Sequence, residues 1–165
     1  MDYTDITLEP LTAAHAKVMY PGLCDPQLYT FTDDAPPKSL EDLRRTYKRR
    51  EKGISPDNSE LWLNWIIKHQ QIDKCLGYVQ ATLNKKTRQA EVAYVVFSPY
   101  WHQGIAKHAT EMMLKHLKEN MSVRHFKAVI HNQNLASNSV IQAIGFVETE
   151  ALNYETVYEL NIDRM

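Results

Sequence analysis

The chain has 165 residues, 44% hydrophobic and 24% charged, and its 19 basic and 20 acidic side chains leave a net charge of -1. A chain of that length buries about 70% of its unfolded surface, enough for one self-sufficient domain spanning 1–165, and the balanced composition excludes disorder and collagen. No apolar run approaches the roughly 20 residues of a membrane span, and the near-zero charge supplies no field to draw nucleic acid or an anionic membrane, so any anion site has to be local.

The first five residues lack the basic start and apolar core of a secretory signal. Cys24 and Cys75 are too few for a disulfide scaffold or a four-ligand zinc site. Together these predict a reducing, cytoplasmic setting. With five glycines in all, each is expected where the backbone needs unusual freedom. The chain shows no internal repeat and no charge block.

Residues 6–8 read as a first strand, and Thr12 is placed to cap a helix over 13–20 that Pro21-Gly22 stops. The irregular stretch 25–37 follows. Ser39 then caps a charged helix over 40–52, with Asp42 in the position of a capping-box acid. Its Arg44, Arg45, Lys48, Arg49, Arg50 and Lys52 are interleaved with Glu41, Asp42 and Glu51, the pattern of a solvated, salt-bridged face rather than of a nucleic-acid contact.

Strands are predicted over 62–68, 76–83 and 90–97, joined by short polar turns as an antiparallel meander. Ile105, Ala109, Met112, Met113, His116 and Leu117 recur at helical spacing over 105–119. A buried strand over 126–130 follows, then a helix over 135–144 closed by Gly145, and strands over 147–149 and 156–162. The order βααβββαβαββ is an α/β fold with a mixed sheet, because the strand–helix–strand crossover around 105–119 obliges its two strands to lie parallel. Ligands bind beyond the carboxyl ends of such a pair, which directs attention to 97–107 and 131–137.

Between strand and helix stands Ser98-Pro99-Tyr100-Trp101-His102-Gln103-Gly104-Ile105-Ala106-Lys107. Gly104 and Ala106 bare the first-turn amides, where unpaired N–H groups and the helix dipole suit a phosphate; equally, the glycine eases the turn. A nucleotide P-loop is disfavoured, because Ile105 and Ala106 follow Gly104 where that motif has Lys and Ser or Thr. The second piece runs Asn134-Leu135-Ala136-Ser137-Asn138 to Gly145-Phe146. Taken together, the strand from Glu91, the loop and this segment resemble the GNAT superfamily of acetyl-CoA-dependent N-acetyltransferases, most closely its ribosomal-protein alanine N-acetyltransferase branch. The resemblance covers 90–146 and implies a single-domain GNAT fold with a splayed parallel strand pair.

The resemblance further implies that pantetheine bonds the backbone of Val95, Val96 and Phe97 like an added strand. It lays the pyrophosphate on the amides of Gln103, Gly104, Ile105, Ala106 and Lys107, with Lys107 or His108 adding charge-assisted contacts. Asn134 then bonds the pantetheine arm, and Ser137 faces the thioester sulfur. His102 departs from the family, where a small residue or glycine is common. The family's frequent tyrosine acid on the last helix is missing between Asn134 and Phe146, leaving Ser137, with Ser139 nearby, as the hydroxyl candidate.

Direct acetyl transfer requires a neutral amine and therefore a base. Glu91 is the preferred one, set among Val92, Ala93, Tyr94, Val95 and Val96; the alternative is an exposed strand carboxylate, since alternation turns it away from Val92, Tyr94 and Val96. An amide near Val95 or Val96 is the family's oxyanion donor. A covalent route through Cys24 or Cys75 lacks a partner histidine, and His108 and His116 are too far apart along their helix to chelate a metal, so no metal is expected.

The expected activity is acetyl transfer from acetyl-CoA to a primary amine, either a protein N-terminus or a small amine, by a monomer or homodimer. The alternative is a non-catalytic acyl-CoA sensor. Acceptor choice is expected from 25–37, from Trp62 and Trp65, and from Glu148, Glu150 and Glu155, acids that favour a cationic amine.

Overall fold

Alternating residues of a strand serve opposite faces, and the strands of this chain carry apolar side chains on both, so helices must cover each side of the sheet. The computed structural model, which describes residue 2 and residues 5–164, shows that arrangement. The elements run β1 (Ile6–Pro10), α1 (His15–Leu23), α2 (Leu40–Glu51), β2 (Glu60–His69), β3 (Lys74–Asn84), β4 (Gln89–Val96), α3 (Ile105–Met121), β5 (His125–His131), α4 (Leu135–Ile144), β6 (Val147–Ala151) and β7 (Glu155–Asn161). This is the predicted order. One seven-stranded sheet is formed in the order β1-β2-β3-β4-β5-β7-β6, antiparallel throughout except for the β4–β5 pair.

Two cores flank the sheet. Ile105, Ala109, Met113, Leu114 and Leu117 of α3 and Ile141 of α4 pack on Ala90, Val92 and Val96 of β4 and on Phe126, Ala128 and Ile130 of β5. On the opposite face, Ala16, Met19 and Leu23 of α1 and Leu43 and Tyr47 of α2 enclose Ile66 and Phe97. The second core covers the sheet near Ile66, Tyr78 and Phe97 and leaves the Trp62 end of the same face open.

Local signals explain most boundaries. Ser39 Oγ accepts from Asp42 N–H at 3.0 Å, while the Asp42 carboxylate pairs with Arg45, so Asp42 serves the helix surface. The Thr12 and Pro21 expectations are corrected. The residue before α1 is Ala14, without a side-chain cap, and Thr12 instead bonds His15 Nδ1 through its N–H at 3.0 Å. Pro21 lies within the last turn of α1, where its ring fits helical φ and the missing N–H costs a single bond. Gly22 is there for space, because a Cβ would meet Phe97 Cε2 at 2.5 Å.

The parallel pair is the feature that positions a site. β4 and β5 are in register at Gln89↔His125, Ala90↔Phe126 and Glu91↔Lys127, and pairing stops there. β4 continues to Val96 beside β3 and β5 to His131 beside β7. The two strands therefore diverge into a fork whose closed end is Glu91.

Candidate functional site

Strand alternation decides which backbone groups face the fork. Phe97 N–H donates to Leu76 O at 2.8 Å, and Val95 is paired with Tyr78, so those amides turn towards β3. The amides of Tyr94 and Val96 turn the other way, into the fork. The Val96 carbonyl on that edge accepts from Trp101 Nε1 at 2.6 Å, which pins the following loop to the strand. Phe97 itself is buried in the second core.

That loop delivers α3 to the open end of the fork. Gly104 takes the left-handed φ of 76° and precedes the first helical residue, Ile105, with no side-chain cap. A Cβ disfavours that conformation, which is why glycine stands there. Gly104 is exposed, Ile105 is buried in the main core, and Ala106 and Lys107 follow at the surface of the first turn. His108 N–H closes the turn onto Gly104 O at 3.1 Å, so the amides before it lie beyond the intrahelical ladder. Gln103 is half-buried beside them, and Lys107 reaches Glu111 at 3.5 Å. His102, the departure from the family pattern, has φ 62°, the left-handed region that favours glycine.

The start of α4 reaches the same end of the fork. Asn134 precedes that helix, and its Oδ1 accepts from Ser137 N–H at 3.2 Å. The Ser137 carbonyl accepts from Tyr94 OH at 2.9 Å, so the residue carrying the candidate hydroxyl is held at both ends of its backbone. Tyr94 went unrecognised in the sequence; its place among the core-facing positions of β4 was visible, but a reach from β4 to α4 is a tertiary contact. Burial pushes its phenol well above the ordinary value, so it remains a proton-bearing strut. Tyr158, buried on β7, likewise donates to Asn138 Oδ1, and Asn138 Nδ2 donates to His131 O at 3.1 Å.

Glu91 lies on the opposite side of the sheet from Val92 and Val96, is exposed, and stands in register with Thr82 of β3 and Lys127 of β5. Its register partner Thr82 lines a cavity of about 350 Å³ formed by α2, β2 and β3, together with Arg49, Arg50, Trp62, Asn64 and Gln80 among others; Glu91 itself is not in the lining. The two tryptophans separate here. Trp62 lines this cavity, whereas Trp65, of opposite parity, is buried in the main core with His116 edge-on at 5.6 Å, so Trp65 is a packing residue. Phe31, from the irregular 25–37 stretch, stacks obliquely on His131 at 5.4 Å at the carboxyl end of β5.

A larger cleft, about 670 Å³, runs along α1 and shares with the predicted site only Phe97; it lies on the β3 side of β4, away from the fork. Cys75 is half-buried, Cys24 is exposed, and both are free thiols. Among the described residues no group of His, Cys, Asp or Glu side chains is gathered to hold a metal, and no helix is long and apolar enough to cross a membrane.

A mixed sheet forked at one parallel pair, with two helix N-termini at its open end, defines an acyltransferase fold, and the chain belongs to the GNAT acetyltransferase family: the family's acetyltransferase domain matches residues 5–147. Among solved structures it is similar to RimL, a ribosomal L7/L12 alpha-N-protein acetyltransferase in complex with coenzyme A, at 18% identity and TM-score 0.82 over 98% of this chain and 97% of that one. It is also similar to spermidine N-acetyltransferase from Vibrio cholerae in complex with CoA and spermine, at 16% identity and TM-score 0.79 over 95% and 94% of the two chains. A GNAT-family acetyltransferase from Bacillus anthracis superposes with TM-score 0.80 at 14% identity over 96% of each chain. Identities this low show the shared fold. No curated protein sequence matches the chain significantly.

Proposed function

We propose that this protein transfers an acetyl group from acetyl-CoA to a primary amine by direct attack within a ternary complex. The observation that carries the reading is the fork: pairing of β4 with β5 ends at Glu91↔Lys127, and the gap beyond it opens on an uncapped helix start at Gly104. The donor fits these residues. Its pantetheine amides would pair with the fork-facing Tyr94 carbonyl and Val96 amide as an added strand, and its diphosphate would rest on the amides of Ile105, Ala106 and Lys107. Asn134 retains its Nδ2 for the pantetheine arm.

In this reading Glu91, directly or through water, takes the proton from the acceptor ammonium and frees the lone pair. The amine nitrogen then bonds the acetyl carbon, and the Tyr94 amide, the fork-facing donor nearer to Glu91, donates to the developing oxyanion. The nitrogen of the adduct carries one proton too many; as the carbon–sulfur bond breaks, the Ser137 hydroxyl passes its proton to the leaving thiolate and regains one from that nitrogen, so that amide, free thiol and neutral Ser137 result. RimL and the Vibrio spermidine enzyme support acetyl transfer to amines as the reaction class.

The test has two readings on the purified chain. Acetyl-CoA raises the melting temperature through linkage, and thiol is released from it only when an amine is added. A melting shift without amine-dependent release over a panel of peptides and small amines makes the protein an acyl-CoA sensor, and no shift at all refutes both readings.

A further inference from the structure

Resting on the acetyl-transfer reading, we infer that the preferred acceptor carries a carboxylate, which Arg49 and Arg50 hold over the open part of the sheet while its amine points along the β4 side of the cavity towards Glu91. Four arginines lie on α2, and they divide sharply. Arg44 and Arg45 are ion-paired with Glu41 and Asp42 one turn earlier. Arg49 and Arg50 have no carboxylate within ion-pair distance among the described residues, and both line the 350 Å³ cavity. Arg49 contacts Thr46 Oγ1 at 3.3 Å, and the Arg50 charge is felt by the phenols of Tyr47 and Tyr78 beneath the helix.

The cavity floor fits the same guest. Trp62, Thr82 and Glu91 are register partners across β2, β3 and β4, as are Asn64, Gln80 and Ala93, so all six share one face. That face offers an indole platform, two side-chain amides and a hydroxyl. Of its carboxylates, Glu60 is outside the cavity lining and accepts from Trp62 Nε1 at 3.3 Å, and Glu91 stands at the far side from α2. A molecule with an anionic end and an amine end matches this polarity, and a polycation would set its second charge against two unpaired guanidinium groups. The acids expected to attract a cation lie elsewhere: Glu155 pairs with His131 and Glu150 with Val157, beyond β5, while Glu148 pairs with Tyr158, whose side chain enters the main core.

The experiment measures amine-dependent thiol release from acetyl-CoA with matched acceptors. One arm compares alanine with alaninamide, the other Asp-Ala-Ala-amide with Asn-Ala-Ala-amide, and spermidine is run beside them. A charge-assisted arginine contact predicts that the carboxylate member of at least one pair is favoured about tenfold or more in kcat/KM. The arm that responds tells a free amino acid from an acidic peptide N-terminus. In the Arg49→Gln/Arg50→Gln double variant that preference falls to about twofold or less through KM, whereas in Arg44→Gln/Arg45→Gln, which removes the same charge from the ion-paired arginines, it persists. The acetyl-CoA melting shift of both variants stays at the wild-type value and reports intact folding and donor binding. Equal use of both members of each pair, a preference that survives loss of Arg49 and Arg50, or spermidine as the best acceptor overturns the inference and leaves acetyl transfer standing. Absence of both melting shift and transfer overturns the reading beneath it.

Discussion

Gly77→Ala tests whether the fork depends on a close approach within the sheet. The β2–β3 register jumps from Ile67↔Gly77 to Lys68↔Cys75, so Leu76 is an extra residue and Gly77 sits in a bulge. At Gly77, φ is 152°, and a Cβ there would lie 2.0 Å from Val95 O and 2.9 Å from Val96 Cα. An ordinary carbon–oxygen contact is about 3.3 Å, so one strand must move by more than about 1 Å, and the obstacle is backbone that cannot rotate aside. Positive-φ strain of about 1–3 kcal/mol and overpacking of about 1–3 kcal/mol together predict a loss of about 2–6 kcal/mol. For a chain of this size that is a fall of roughly 4–24 °C in Tm. Gly53→Ala separates the two contributions, because Gly53 has φ 72° but its nearest neighbour would be Trp62 O at an ordinary 3.7 Å; it should lose about 1–2 kcal/mol. Urea unfolding followed by circular dichroism measures all three proteins. Since the displaced atoms belong to the strand that edges the fork, Gly77→Ala also diminishes the acetyl-CoA melting shift, and Gly53→Ala keeps it. An unfolding midpoint for Gly77→Ala at or above that of Gly53→Ala refutes the reasoning.

Glu91→Gln should lower amine-dependent thiol release about 10²–10⁴-fold, the usual worth of a positioned base, with the acetyl-CoA melting shift unchanged; equal rates would remove Glu91 from the mechanism. Thr110→Val should stabilise the protein by about 1 kcal/mol in urea unfolding, because the Thr110 hydroxyl is fully buried without a hydrogen-bond partner and valine keeps the shape while removing the desolvated group. Three hydrogen bonds, from Ser59 Oγ, Ser59 N–H and Ser55 Oγ, hold the Asp57 carboxyl down to about 2 from an ordinary 3.8. A lowered folded value means that its stabilisation is present above the unfolded value of 3.8 and is lost as pH falls towards about 2. Acid unfolding of Asp57→Asn should therefore show a shallower dependence on pH across that window, and an unchanged slope would contradict the assignment.

Where a structural decision is local, the residues announce it. The apolar spacing of α3, the Ser39 cap and the Gly145 stop each act within a few positions, and each element stands where its pattern places it. The end of α1 does not, because Gly22 answers to Phe97, 75 positions further along the chain. The fork was legible through family likeness, and its consequence for Val95 and Val96 was not: which of two neighbouring amides faces the gap depends on a bond to Leu76 from the third strand. Arg44, Arg45, Arg49 and Arg50 read alike as a solvated helix face. Acids one turn earlier settle the first two, whereas the position of the other two over the sheet requires the tertiary fold. Alternation puts Trp62 and Trp65 on opposite sides of their strand, yet only the placement of α3 decides that the second one is core.

The short run of pairing between β4 and β5 has a mechanical consequence. A sheet that is continuous elsewhere is welded at its middle by three residue pairs, so the sub-sheets β1–β4 and β5–β7 behave as two leaves hinged at Glu91 and Lys127. Twisting of one leaf against the other is resisted mainly by α3 and the Tyr94 strut to Ser137. Anything lodged between the leaves would stiffen the whole protein, and amide exchange should slow along both inner edges together.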